Sequence, residues 1–269
     1  MQACNIENTM KRLFISIIAA GAAITAFSDG QFCEVIQDNG VRKGLCTSIL
    51  DRDEERSAQL NESITSELCN TALYRNYIGY WKIQNDSLFL DSLLIHRKRG
   101  DELSKMELGS LYASLKTPSG YFVDWISDTI RIVSGKVVRY EHMLWHSTWE
   151  TEEFVTVDKG IITGREAKYS KLINPRMHES DLLEIMKELD LGVIPNRIVL
   201  TLRYSGFDEE GQPTGLDISV RKGCGDSAID ERVVNAVDSA FMILKPFPIY
   251  YINGMYKTET WILPIAKRE

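Results

Sequence analysis

The chain has 269 residues, with 44% apolar and 26% charged residues and a net charge of −7. This length and balance are typical of a folded protein with room for two domains and a sizeable core. An acidic chain without a basic run argues against a polyanion as partner, so we expect no binding to nucleic acid.

Residues 1–28 have the features of a secretory signal peptide. Lys11 precedes an uncharged apolar run over 13–27, and the small residue Ser28 marks a cleavage position. The run is shorter than the roughly 20 residues that a membrane-spanning helix needs. We therefore predict export to the periplasm or cell surface after cleavage near Ser28. An uncleaved anchor in the inner membrane is the alternative.

Cysteines stand at five positions, 4, 33, 46, 69 and 224. Removal of the signal peptide leaves four, an even number that permits disulfides in three connectivities. We expect a bridge among Cys33, Cys46 and Cys69 because they lie close in sequence; the alternative is that the thiols stay reduced and buried. No pair has the close C-x-x-C spacing of zinc sites, so we expect no metal cofactor.

Residues 29–70 are predicted to form an N-terminal extension that is partly helical. The stretch Asp51–Leu68 is polar, and its apolar residues Leu60, Ile64 and Leu68 recur at helical spacing. This pattern indicates a surface helix within the extension.

Residues 71–165 are predicted to form a β-rich, mostly antiparallel domain. Strands at Tyr77–Ile83 and Leu88–Leu93, joined by the turn Asn85–Ser87, make a hairpin with an aromatic-rich face. Further strands are expected on both sides of a turn at Gly135. They cover Tyr121–Ile126, Thr129–Val133, Lys136–His142 and Glu153–Val157.

Two histidines of this region, His142 and His146, are its candidates for chemistry. On a helix they would share a face and could bind a metal. On a strand they would lie about 13 Å apart, too far for one ion. The surroundings favour a strand, so we predict neither a catalytic residue nor a metal site. An envelope hydrolase or metal enzyme that uses His142 is the alternative.

A group of four tryptophans falls between positions 81 and 149: Trp81, Trp125, Trp145 and Trp149. Such a group can stack sugar rings or grip a peptide. More often these residues fill the core of a small β domain, which is the interpretation we favour.

The sequence contains none of the common nucleophile or phosphate-binding motifs. Cys224 precedes a predicted helix, where a thiol can have a lowered pKa and act as a nucleophile. No particular histidine can be assigned to it as a base. We therefore do not expect an enzyme.

A polar segment at 166–178 is predicted to be a linker, followed by a C-terminal domain at 179–269. The pattern of that domain is strand, turn, strand, helix, turn and strand. Asp226 or Ser227 is expected to cap the helix. The strands are placed at Ile198–Tyr204, Leu216–Arg221 and Thr258–Leu263, with Pro264 ending the last of them.

The order of these elements, and the turn residues between them, resemble the C-terminal domain of TonB-type proteins. The resemblance depends on a Gly turn after the first strand, a loop of small residues, an apolar-Asp pair that opens the helix, an Ala-Val pair within it, and Lys-Pro and Asn-Gly steps before the closing strand. The corresponding residues are Gly211, Gly223–Gly225, Ile229–Asp230, Ala236–Val237, Lys245–Pro246, Asn253–Gly254 and Leu263–Pro264–Ile265.

The resemblance implies a small β-β-α-β domain at the C-terminus. Together with the β-rich domain predicted before it, this gives an α+β fold. The resemblance further implies that this module binds a protein or peptide by β-strand addition, with an outer-membrane receptor as one such partner. The exposed edge is expected at the closing strand, with partner contacts at Thr258, Thr260, Trp261 and Leu263. The same edge could pair with itself and give a homodimer.

A membrane-anchored energy transducer for outer-membrane transport is the alternative function. Energy-transducing members of the family have a proline-rich linker that crosses the periplasm. This chain has 7 prolines, and they are spread out. They cannot form a stiff spacer, which argues against that alternative.

Overall fold

The computed structural model describes residues 31–141, 145–174, 189–244 and 248–267, and it is a β-rich α+β fold. These residues form two compact units, 31–171 and 172–267. The predicted signal peptide and His142 lie outside the described residues. No described helix has the length and apolar character needed to span a membrane.

The first unit contains ten strands and two short helices. The helices are α1 (Glu54–Ser63) and α2 (Gly109–Tyr112), with 3₁₀ turns at Leu50–Arg52 and Ala113–Leu115. The strands are β1 (Glu34–Asp38), β2 (Val41–Leu45), β3 (Tyr77–Gln84), β4 (Ser87–Ile95), β5 (Ser104–Lys105), β6 (Lys116–Thr117), β7 (Gly120–Phe122), β8 (Asp128–Arg139), β9 (Thr148–Asp158) and β10 (Ile161–Asn174).

Seven of these strands form a ring in the order β10-β9-β8-β2-β1-β3-β4. The ring returns to β10 because Ile161 pairs with Ser87 of β4, and β7 and β5 cover the rest of that side of β4. Among the described pairings of the ring, β1–β3 is parallel and the others are antiparallel. Alternate side chains point inward and form an apolar core that includes Ile36, Trp81, Leu90, Ile132 and Val155.

The predicted hairpin at the centre of this unit is confirmed as β3 and β4. Asn85 and Asp86 both have positive φ, 51° and 52°. This backbone is the one that a tight two-residue hairpin turn requires. The helix predicted between residues 51 and 68 is also present, as α1.

Three other predictions for this unit need correction. Residues 29–70 are not an extension, because β1 and β2 are strands of the ring. Gly135 does not turn the chain: β8 runs through it, with a positive φ of 81° and a shift in the register with β9. The predicted linker at 166–178 is in part a strand, since β10 continues to Asn174.

The second unit is a three-stranded antiparallel sheet with one long helix on one face. Its elements are β11 (Ile198–Phe207), β12 (Pro213–Lys222), α3 (Ser227–Leu244), β13 (Ile249–Ile252), β14 (Met255–Thr258) and β15 (Trp261–Ile265). The sheet order is β12-β11-β15. The apolar stripe of α3, with Val233, Val237 and Phe241, packs with Leu200, Leu202 and Ile265 from the sheet.

The predicted succession of strand, strand, helix and strand is present, and Asp226 caps the helix. Its Oδ1 accepts hydrogen bonds from the N–H groups of Ala228 (2.9 Å) and Ile229 (3.3 Å). The structure adds the hairpin β13–β14 before the closing strand. That strand was predicted at Thr258–Leu263 but runs from Trp261 to Ile265, so Pro264 lies within it and does not end it.

Candidate functional site

The predicted partner-binding strand, β15, is an edge of the second unit's sheet. It pairs with β11 over five residues, from Ile198↔Ile265 to Leu202↔Trp261. Among the described residues β15 has no strand partner other than β11. An edge strand of this kind can accept a further strand through its main chain.

Pro264 indicates which main-chain N–H and C=O groups of β15 face the outer edge of the sheet. Proline has no N–H, so within a sheet it occupies positions whose nitrogen faces away from the neighbouring strand. Hydrogen-bonded and non-hydrogen-bonded pairs alternate along an antiparallel ladder. If the nitrogen of Pro264 faces away from β11, the N–H groups of Ile262 and Thr260 also face away from β11. The outer edge then offers the N–H and C=O groups of these two residues and the C=O of Pro264.

The first two residues of β15 are exposed, and the last three, Leu263, Pro264 and Ile265, are buried. Leu263 and Ile265 are buried in the core against α3. Ile262 is 50% exposed, and Trp261 at the start of the strand is 36% exposed. Two large apolar side chains therefore stand near the open edge.

The structure places the four predicted contact residues in three different settings. Trp261 and Leu263 are on β15, and Thr260 directly precedes it. Thr258 is instead the last residue of β14, so its assignment to the edge strand is corrected. Leu263 is buried and offers no side chain to a partner. Ile262 was not among the predicted contacts, although its side chain is 50% exposed.

The first unit contains a group of four charged residues inside one end of the ring. Asp38 on β1 binds the Arg165 guanidinium through both carboxylate oxygens, at 2.8 and 3.2 Å, and lies 3.2 Å from Lys43. Lys43 also binds Glu153, which lies 3.6 Å from Arg165. Two positive and two negative charges thus link four strands of the ring, with no net charge.

The pairing of Asp38 determines its protonation. Burial favours the neutral acid, but hydrogen bonds and charge from Arg165 and Lys43 together outweigh it and lower the pKa of Asp38. Paired charges of this kind are typical of a structural link between strands. Local sequence patterns do not reveal this charge group, because its members are up to 127 residues apart.

Glu34 lies inside the opposite end of the ring, on the same strand as Asp38 and with the same inward orientation. Its side chain is fully buried, accepts a hydrogen bond from the Trp81 indole, and lies 3.1 Å from Nη1 of Arg75 without the alignment of a hydrogen bond. Burial raises the pKa of Glu34 to about 7, although the charge of Arg75 and the Trp81 hydrogen bond oppose it.

Arg75 connects this buried acid to the surface. Its guanidinium donates to Ser48 Oγ (3.0 Å) and to the carbonyl of Phe32 (3.3 Å). It also lies 5.0 Å from the ring centre of Tyr77 and 4.6 Å from that of Trp145. Arg75 is itself buried, with 6% of its side chain exposed.

A cavity of about 510 Å³ lies beside this arginine. Its walls include one indole, two carboxylates, an arginine and two hydroxyl groups, from Trp145, Asp51, Asp128, Arg52, Ser48 and Thr129. Arg52 and Asp128 form an ion pair of 2.8 Å across the wall. The volume of the cavity is in the range of small-molecule sites.

His146 and Cys224 are the described residues among those that the sequence offered as candidates for chemistry. His146 is exposed in a turn between β8 and β9, so it lies on neither a helix nor a strand face. No group of three or more described His, Cys, Asp or Glu residues is placed to hold a metal ion. Burial raises the pKa of the Cys224 thiol, contrary to the lowered pKa considered from its position before a helix.

The tryptophans and cysteines are divided between core and surface. Trp81 is buried in the core and Trp125 packs against it, as favoured from the sequence, whereas Trp145 lines the cavity. Cys33 and Cys46 form a disulfide with Cα atoms 4.6 Å apart, which confirms the bridge predicted among Cys33, Cys46 and Cys69. Cys69 and Cys224 remain thiols.

Comparison of the chain with known protein families, curated proteins and solved structures gives no match.

Proposed function

We propose that the protein is exported to the cell envelope and that its C-terminal unit binds an extended protein or peptide segment by β-strand addition to β15. The carrying observation is the outer edge of β15, where β11 occupies one side and no other described strand pairs. Main-chain groups of Thr260 and Ile262 supply the hydrogen bonds, and Ile262 supplies an apolar side-chain contact.

Two further features support this proposal. The disulfide Cys33–Cys46 is of a kind that persists in oxidising compartments, which fits export. The resemblance of the C-terminal segment to TonB-type domains makes an outer-membrane protein the first class of partner to test. An added strand on β15 of a second copy would instead give a two-fold homodimer.

The proposal is tested by photo-crosslinking in living cells of the native host. A photoreactive amino acid replaces Ile262 on β15, and in a matched control it replaces Val220, which is 41% exposed on the opposite edge strand β12. We expect a discrete adduct from position 262 and none of the same mass from position 220. Mass spectrometry then identifies the captured chain, including a second copy of this protein.

Two outcomes would overturn the proposal. Equal adducts at both positions would indicate non-specific contact, and an adduct at position 220 alone would move the interface to β12. Fractionation of the same cells tests export, because a protein found in the cytoplasm would meet no outer-membrane partner.

A further inference from the structure

We propose that the cavity beside Trp145 in the first unit is a binding site for an uncharged saccharide. This site is separate from β15 and does not depend on strand addition. Its volume of about 510 Å³ lies within the roughly 300–1,000 Å³ that is usual for small-molecule sites.

The hydrogen-bonding groups of the wall match a ligand with many hydroxyls. Asp51 and Asp128 accept hydrogen bonds, whereas Arg52 donates them. Ser48 Oγ already accepts from Arg75 at 3.0 Å, which leaves its own hydrogen for an acceptor in the cavity. A sugar hydroxyl both donates and accepts, so one ring can satisfy groups of each kind.

The charges of the wall disfavour an ion of either sign. An anion would meet the carboxylates of Asp51 and Asp128. A cation would meet Arg52 in the wall and Arg75 directly behind Ser48. Arg52 and Asp128 are paired at 2.8 Å, which neutralises one charge of each sign. A neutral polar ligand avoids both conflicts.

The indole of Trp145 is held in place before any ligand arrives. The guanidinium of Arg75 lies 4.6 Å from its ring centre, and its Nε1 donates to the carbonyl of Phe32 at 3.4 Å. Arg131 donates to the carbonyl oxygen of Trp145 and, at 2.6 Å, to that of Ser147. A fixed aromatic ring loses little freedom on binding, and such a ring offers an apolar surface to the C–H groups of a sugar.

The part of the wall at Cys46 and Thr47 is held by a disulfide and a hydrogen bond. Cys46 lines the cavity and is joined to Cys33 by the disulfide, and Thr47 accepts a hydrogen bond from the N–H of Arg131 at 2.8 Å. The site is therefore built from parts that are already ordered by other contacts, which favours recognition of a small ligand.

The test applies the full-length exported protein to an array of oligosaccharides that includes uncharged, acidic and basic sugars. Hits are measured by calorimetric titration, with inorganic phosphate and spermidine as the anionic and cationic probes. Two variants alter the cavity: Trp145→Ala removes the indole, and Asp51→Asn removes one charge while keeping an acceptor. Trp261→Ala is the matched control, since it removes an indole from the second unit.

We expect saturable binding of an uncharged sugar and no binding of phosphate or spermidine. Trp145→Ala should lower the affinity for the sugar roughly tenfold, in line with the usual contribution of an aromatic contact. Asp51→Asn should weaken it as well, with an unchanged near-ultraviolet circular dichroism spectrum. Trp261→Ala should leave sugar affinity unchanged while reducing capture of the partner of β15, so the two proposals can fail separately.

Three results would each overturn the assignment. The first is that no uncharged sugar on the array binds the protein. Another is a sugar whose affinity is the same for the wild type, Asp51→Asn and Trp145→Ala. The third is binding of phosphate or spermidine that these variants abolish, because that would make the cavity an ion site.

Discussion

The two units use their strands in opposite ways. In the first unit the strands form a ring that returns to its first member, and charged residues lie inside both of its ends. In the second unit a three-stranded sheet stays open and its core against α3 is apolar. Among the described strands only β11 pairs with β15. This difference is the reason why we propose a small ligand for the first unit and an added strand for the second.

The largest expected effect is on the apolar core of the second unit. Phe241 on α3 is fully buried, so Phe241→Ala should lower the free energy of unfolding of that unit by about 3–5 kcal/mol. Val220→Ala on the edge strand β12, where the side chain is 41% exposed, should change it by less than about 1 kcal/mol. Denaturant unfolding with amide hydrogen exchange measures both, and protection of β1 and β3 should not change.

The disulfide should matter to the first unit alone. It closes a loop with a sequence separation of 13, so replacing Cys33 and Cys46 together by alanine should cost about 3 kcal/mol. Cys69→Ala is the control, because Cys69 is a free thiol. A loss of protection in β11 and α3 equal to that in β1 and β2 would contradict independent stability of the two units.

Glu34 should make the first unit less stable as the pH rises. Its pKa is about 7 in the folded chain against an ordinary 4.5, so between these values the folded chain holds a proton that the unfolded chain has lost. The resulting fall in the free energy of unfolding is at most about 3 kcal/mol and is complete above pH 7. Glu34→Gln should remove this fall, whereas Glu62→Gln on exposed α1 should keep it.

Asp38, on the same strand, should show the opposite dependence. Its pKa is lowered from 3.8, so its ion pairs stabilise the fold above that pH, and this stabilisation is lost as the pH falls through the lowered pKa. Asp38→Asn should cost about 2 kcal/mol at neutral pH and progressively less in acid. Asp91→Asn is the exposed control. A difference that stays constant in acid would show that the ionised carboxylate is not what stabilises the ring.

The sequence predicts those parts of the fold that local patterns determine. The β3–β4 hairpin follows from alternation around Asn85 and Asp86, and α3 follows from its apolar stripe and Asp226 cap. β1 and β2 were missed because the ring places Glu34, Asp38 and Lys43 on its inner side, where alternation predicts apolar residues. The parallel β1–β3 pairing joins segments about forty residues apart, which no local pattern encodes.

The candidate sites were predicted less well, for reasons that concern single residues. The edge strand was placed three residues early because proline was taken as its end, whereas Pro264 fits an edge position that needs no donor. The cavity brings together Ser48, Asp128 and Trp145, which are far apart in sequence. Only their positions in the ring make them neighbours, so the sequence could suggest a tryptophan-lined site but not its polar walls.

Substitutions of Ile262 on β15 should have the smallest effect on stability, although they test partner binding. If the N–H of Ile262 faces away from β11, Ile262→Pro removes an outer donor and leaves the β11 ladder intact, at a cost below about 1 kcal/mol. Ile262→Ala is the matched variant, since it keeps the donor and shortens the side chain. Thermal unfolding of both variants checks that β15 remains in place.

The most direct test of strand addition is the affinity of both variants for the partner that photo-crosslinking captures at position 262. Strand addition predicts that Ile262→Pro lowers the affinity at least roughly tenfold, because a main-chain hydrogen bond is lost and its acceptor is left unpaired. Ile262→Ala should lower it much less. If the alanine variant loses as much as the proline variant, or if neither loses affinity, the partner does not bind β15 as an added strand.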